Sequence, residues 1–121
     1  EALTGEFFKR LGYEVTLGRG RNDGGIDVRV WRNVEDKENP PMILIQCKRQ
    51  KEKVDKVIVK ALWADMVYEN AQSGLIVTSS QVSSGAKEDC KVRGYNIDFV
   101  ERKNLNKWIK SMRSKDVEII V

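Results

Sequence analysis

The sequence predicts an α/β fold, a mixed β-sheet flanked by helices on both faces. Three observations support it. Segments with apolar residues at helical spacing alternate with short runs of strand character. In the second half each strand is followed by a helix, and a crossover of that kind joins parallel strands. In the first half strand follows strand across turn-rich segments, the pattern of an antiparallel meander.

Residues 2–11 read as the first helix, with Leu3, Phe7, Phe8 and Leu11 along one face and Gly12 as its stop. Residues 13–17 alternate like a half-buried strand, and the glycine-rich, basic stretch 18–25 turns the chain. Residues 26–31 and 42–48 are the next strands; 32–41 between them is polar, ends in Pro-Pro and reads as an exposed hairpin loop. Residues 54–68 contain no breaker, and Val54, Val57 or Ile58, Ala61 or Leu62, and Asp65 are expected on successive turns of a largely buried helix face. Residues 74–78 hold the apolar run Leu75-Ile76-Val77, typical of a strand covered on both sides. Ser83 or Ser84 caps a helix that carries Ala86 and Cys90 and ends near Gly94. Residues 96–100 form a strand, Leu105, Trp108, Ile109 and Met112 mark a last amphipathic helix, and 116–121 is strand-like.

The 121 residues fit one domain, with 1–112 as its core and 113–121 as an extension or strand. Hydrophobic residues make up 40%, enough for a single core, and no apolar run approaches the ~20 residues that span a bilayer. No signal peptide is read. A chain opening on Glu1 rather than Met is expected to be one domain of a longer protein. The net charge of +4 suits a polyanionic partner without requiring one. Histidine is absent, which excludes Ser-His-Asp and Cys-His catalysis and His-based metal sites. Cys47 and Cys90 are too few for a Cys-only zinc site; they are expected as reduced core residues in a cytoplasmic protein.

Two strings carry the chemistry: Asn22-Asp23-Gly24-Gly25-Ile26-Asp27-Val28 and Ile43-Leu44-Ile45-Gln46-Cys47-Lys48. Strand side chains alternate faces, so Gln46 and Lys48 share a face with Leu44. Ile26, Val28 and Val30 are expected on one face of their strand, with Asp27 opposite. A hairpin turning near residue 37 sets Asp27 across from Cys47, between Gln46 and Lys48. A hard divalent cation such as Mg2+ or Mn2+ favours oxygen ligands. Asp27 offers a carboxylate, Gln46 an amide oxygen and Cys47 a backbone carbonyl. Such a cation activates water and neutralises phosphate charge, and the Lys48 ammonium stabilises the charge that develops. Taken singly, Asp27 is also ordinary turn chemistry and Lys48 an ordinary edge charge; it is Gln46, interrupting an apolar run, that makes the joint pattern informative.

The strings Gly12-Tyr13-x-Val15, Asn22 to Val28 and Ile45-Gln46-Cys47-Lys48-Arg49 resemble the Mrr-type branch of the PD-(D/E)xK restriction-endonuclease superfamily, in which the second acidic position is commonly Gln. The segments Gly74 to Ser79 and Ala86 to Cys90 are similar to its later strand and helix. The resemblance implies a restriction-endonuclease-like mixed sheet, a metal-dependent deoxyribonuclease, and Asp27, Gln46 and Lys48 as its active site. It also implies a Glu on the first helix. Counting back from Gly12 lands on Glu1, with Glu6 as the competitor on the side away from Phe7, Phe8 and Leu11. Asp23 is either a catalytic residue or a turn residue before Gly-Gly.

DNA is the implied partner, with Arg19, Arg21, Arg49 and Lys51 expected on phosphates. Lys56 and Lys60 form one helical stripe that is either a phosphate contact or a solvated face. Trp31 and Trp63 are expected in the core rather than stacked on bases. Cutting both strands implies a homodimer, and site choice implies a separate recognition domain. Restriction, Holliday-junction resolution and anti-phage cleavage all fit, and a nuclease-fold module that binds DNA without cutting stands as the alternative.

Overall fold

The computed structural model describes residues 2–18 and 25–110. The elements are α1 (Ala2–Arg10), β1 (Glu14–Leu17), β2 (Val28–Trp31), a 3-10 turn (Val34–Glu38), β3 (Ile43–Lys48), α2 (Lys56–Glu69), β4 (Ser73–Thr78), α3 (Ser84–Arg93) and β5 (Ile97–Val100). A last helix, α4, occupies 102–110. The strand-like stretch 116–121 lies outside the described residues.

The five strands lie in sequence order, β1-β2-β3-β4-β5. β1, β2 and β3 pair antiparallel, and β3, β4 and β5 pair parallel. The mixed sheet follows from connection length, since only the segments holding α2 and α3 are long enough to return the chain in the same direction. Each sheet face is closed by its own apolar layer. On one side Leu44, Ile76 and Ile97 meet Val59, Leu62 and Met66 of α2 and Ala86 and Cys90 of α3. On the other, Val28, Val30, Ile45, Leu75 and Val77 meet Phe8 of α1, with Leu105 and Trp108 of α4 packed against them. Phe7 stacks on Trp108 at 4.0 Å and joins the two helices of that layer. Leu44, Ile45 and Ile76 are fully buried, each worth ~1.5–3 kcal/mol of transfer free energy.

Close approach of α2 to the sheet depends on Gly74. A Cβ there would lie 2.6 Å from Met66 Sδ and 3.1 Å from Leu62 Cδ2. On the same face Arg29 of β2 makes a two-pronged pair with Glu69 of α2, at 2.8 and 2.7 Å. Planar guanidinium and carboxylate groups match in this geometry, so the pair ties α2 to β2.

The loop 32–41 is largely exposed, as expected, and holds a 3-10 turn capped by Asn33, whose side chain accepts from the Asp36 N–H at 3.2 Å. Two expectations change. Helix α2 begins at Lys56, because Asp55 caps it and Val54 instead bridges Val82. Its buried residues are Val59, Leu62 and Met66, while Val57 is 71% exposed. The phase is set by the sheet beneath the helix, which Val54 never joins as a helical residue. Finally, Ile26 does not share a face with Val28 and Val30. It packs with Leu44 and Ile76, because β2 starts only at Val28 and alternation does not extend back through Asp27.

Candidate active site

At the open end of the β2–β3 hairpin, Gly25 has φ +86°, a conformation glycine adopts without strain. It also sits where a Cβ would come within 3.3 Å of Gln46 Oε1. The chain therefore turns tightly against Gln46 before reaching Asp27. The Asp27 backbone is tied on both sides: its N–H donates to the Ile45 carbonyl at 3.0 Å, and its carbonyl accepts from the Gly18 N–H at 2.6 Å.

The Asp27 carboxylate turns toward β3. Its Oδ2 accepts from the Cys47 N–H at 2.7 Å and from Gln46 Nε2 at 3.1 Å. The β2–β3 register of Val28 with Ile45, carried back one step, aligns Asp27 with Gln46. That differs by one residue from the expected place across from Cys47. The side chain makes up the difference by reaching the Cys47 N–H. Because the N–H and C=O of a strand residue point to the same edge, the Cys47 carbonyl is directed to the Asp27 side.

Asp27, Gln46 and Cys47 are thus brought together. Lys48 follows at the end of β3, in register with Thr78 and half-buried. Alternation places it on the Gln46 face. Its carbonyl accepts from the Ser79 N–H at 3.3 Å, which fixes its backbone to the end of β4. A cleft of about 300 Å3 lies there, lined by Lys48 and Arg49 together with the apolar Leu3, Val77 and Leu105.

The Cys47 side chain packs against the α1-side core. Burial pushes its thiol above the ordinary value; the Thr4 hydrogen bond opposes this and the Asp27 charge adds to it. It is the Cys47 backbone, not the thiol, that meets the Asp27 carboxylate. Thr4, buried and 3.6 Å from Cys47 Sγ, couples α1 to the site and was not signalled by any motif.

Glu1, Asp23, Arg19 and Arg21 lie outside the described residues. Glu6 is exposed and pairs with Arg10 at 3.0 Å, on the outer side of α1. Arg49 and Lys51 come together with Lys53 and Arg102 around a recess of about 660 Å3. Its loop is held by hydrogen bonds: Ser80 Oγ donates to the Lys51 carbonyl at 2.9 Å, and Gln50 Nε2 to the Glu52 carbonyl at 3.0 Å. Arg102 was not foreseen. Its N–H donates to the Ser80 carbonyl at 3.1 Å, a contact between distant segments. Lys56 and Lys60 are exposed, Trp31 is buried, and Trp63 is half-buried and stacks on Tyr95 at 4.7 Å.

Among the described residues no group of three or more His, Cys, Asp or Glu side chains could hold a metal ion. The donors that do converge are one carboxylate, one carboxamide and one backbone carbonyl. Each group contains an oxygen, the carboxamide one being Oε1 while its Nε2 faces Asp27, and an oxygen donor set suits a hard cation that keeps several waters and not a soft one.

The restriction endonuclease family profile, Mrr_cat, matches residues 1–109. No curated protein matches the chain. Among solved structures, the fold is similar to the restriction endonuclease MspJI in complex with a 27-mer oligonucleotide, with a TM-score of 0.65 and 20% identity over 92% of this chain and 26% of that one. It is similar to the DNA modification-dependent restriction endonuclease AspBHI, with a TM-score of 0.71 and 18% identity over 92% of this chain and 30% of that one. A protein of unknown function, AF1548, has a TM-score of 0.62 and 14% identity over 85% of this chain and 61% of that one. The chain spans about a third or less of the two restriction enzymes it resembles. With the profile covering nearly its whole length, the chain belongs to the restriction endonuclease family.

Proposed function

We propose that this chain is a metal-dependent DNA endonuclease of the restriction or anti-phage type, using Mg2+ or Mn2+. The observation that carries this reading is the convergence of the Asp27 carboxylate, the Gln46 amide and the Cys47 backbone at one hairpin end. Asp27, Gln46 and the Cys47 carbonyl would hold the cation, which when bound supplies charge neutralisation at the phosphate and activation of water. Lys48 stabilises the charge developing on the scissile phosphate. Glu1, which precedes the helix carrying Thr4, completes the site. Arg19, Arg21, Arg49 and Lys51, joined by Arg102, bind the flanking phosphates.

Cutting both strands calls for two such sites, and therefore self-association. Site choice calls for a recognition domain, consistent with the greater length of MspJI and AspBHI. Free Cys47 and Cys90 suit a reducing cytoplasm, and no described helix is long and apolar enough to cross a membrane. The test is plasmid nicking by the purified chain. Nicking with Mg2+ and none with EDTA is expected. Cleavage insensitive to the chelator would contradict the reading.

A further inference from the structure

The basic recess is built by the three connections that leave the parallel strands β3, β4 and β5 at one end of the sheet. Beyond β4 the sheet continues for one residue, Val82, which bridges Val54. The Val54 N–H donates to the Gln81 carbonyl and the Ser83 N–H to the Val54 carbonyl, both at 2.8 Å. Successive backbone groups point to opposite edges, so the Val82 N–H faces the other way, toward β5. That strand has already ended at Val100. The Glu101 side chain takes the place of the missing strand. One carboxylate oxygen accepts from the Val82 N–H at 2.9 Å and the other from Lys87 Nζ of α3 at 2.8 Å.

Glu101 stands at the N-cap of α4, since its carbonyl accepts from the Leu105 N–H at 2.9 Å. Glutamate is not among the residues favoured there, and its carboxylate goes to the neighbouring loop instead of to its own helix. The next N–H, from Arg102, donates to the Ser80 carbonyl at 3.1 Å. Two adjacent residues thus tie the start of α4 to the loop after β4, one by its side chain and one by its backbone. We propose that Glu101 is a positioning residue for nucleic-acid binding. By bridging Val82 and Lys87 it holds the loop 79–82 and Arg102 in the arrangement that sets Arg102 beside Arg49, Lys51 and Lys53. The proposal rests on the reading of this recess as a phosphate site.

Charge alone argues for the opposite effect. A carboxylate close to a cluster of cations weakens their attraction for phosphate, so its removal should strengthen DNA binding. Positioning makes removal costly, because the loop and Arg102 must then be ordered as the DNA binds. Two substitutions separate these effects. Glu101→Gln removes the charge but keeps an oxygen for the Val82 N–H. Glu101→Ala removes both. The same change of charge is therefore expected to move affinity in opposite directions.

The experiment is anisotropy titration of a fluorescein-labelled duplex oligonucleotide with the parent and each variant, in EDTA and at several salt concentrations. Stoichiometric titration fixes the active fraction of each protein. Glu101→Gln should bind as tightly as the parent or more tightly. Glu101→Ala should bind ~10-fold or more weakly, the scale of losing one hydrogen bond to a charged group. Its slope of log affinity against log salt should fall by ~0.9, through loss of the Arg102 contact. A variant that is merely less stable would lower the active fraction and leave affinity and slope unchanged. Glu101→Asp keeps the charge but is too short to span both partners, and it serves where Glu101→Ala does not fold; it should bind more weakly than the parent. Glu101→Ala binding as tightly as Glu101→Gln, or Glu101→Asp binding like the parent, would overturn the proposal. A parent with no salt-dependent affinity for the duplex would instead remove the phosphate reading, and the proposal with it.

Discussion

The Cys47 backbone N–H donates to Asp27 Oδ2 at 2.7 Å, in place of the ladder bond that a longer β2 would have supplied. The contact lies just past the end of the β2–β3 ladder and holds the carboxylate against β3. Asp27→Asn keeps an oxygen that can accept this bond but removes the charge. The fold should therefore persist, while manganese affinity falls more than ~10-fold and cleavage is lost. Calorimetric titration with manganese checks this; unchanged affinity would remove Asp27 from the cation site.

The basic recess should be read out by salt. Arg49→Ala and Arg102→Ala should each reduce the slope of log affinity against log salt by ~0.9 on duplex DNA. Lines parallel to that of the parent would mean that the residue touches no phosphate. Arg102 is the more informative of the two, because only the fold brings it to Arg49.

Much of this arrangement was legible before any coordinates. Periodicity located every described helix and strand, and the alternation of Gln46 with Cys47 separated the donors from the core. What escaped depended on contacts between distant segments. The helical spacing of α2 offered Val57 or Ile58 to the core and passed over Val59 and Met66, because only the position of the sheet beneath the helix fixes its phase. Ile26 looked like a residue of β2, but the ladder stops one residue short of Asp27. Arg102 and Thr4 reach the site through the Ser80 carbonyl and the Cys47 thiol, partners far away in sequence. The Glu1 and Arg21 expectations fall on residues outside those described.

Gly74 offers a test of the packing that supports the site. Gly74→Ala puts a methyl against Met66 Sδ and Leu62 Cδ2, both in the buried layer between α2 and β4. The helix must lift or Met66 must repack, at a cost of ~1–3 kcal/mol. Urea denaturation should show a lower midpoint with an unchanged slope.

Glu101 makes the fold sensitive to acid. Burial opposes its ionisation, yet hydrogen bonds from Lys87 at 2.8 Å and from the Val82 N–H at 2.9 Å bring its pKa below the ordinary 4.5. A carboxylate depressed by folding contributes stability that is full above the unfolded value and is lost as pH falls through the folded one. The parent should therefore lose stability below pH 4.5, and Glu101→Gln should lose less over the same interval. Urea midpoints at neutral and acid pH measure both; equal losses would mean that Glu101 does not report the linkage.

Lys48 bears most directly on the nuclease reading. It shares a face with Gln46 and, being a cation, is not needed to hold one, so its contribution belongs to the transition state. Lys48→Ala should keep manganese and DNA affinity near the parent's and slow cleavage by ~100-fold or more, the scale of losing one preorganised donor. Lys48→Arg should not restore the full rate, because a planar guanidinium does not replace a compact ammonium. The decisive measurement is single-turnover plasmid cleavage at saturating protein and Mg2+. A large drop in rate with binding intact is the expected result, and a near-parental rate for Lys48→Ala would contradict the assignment of this site.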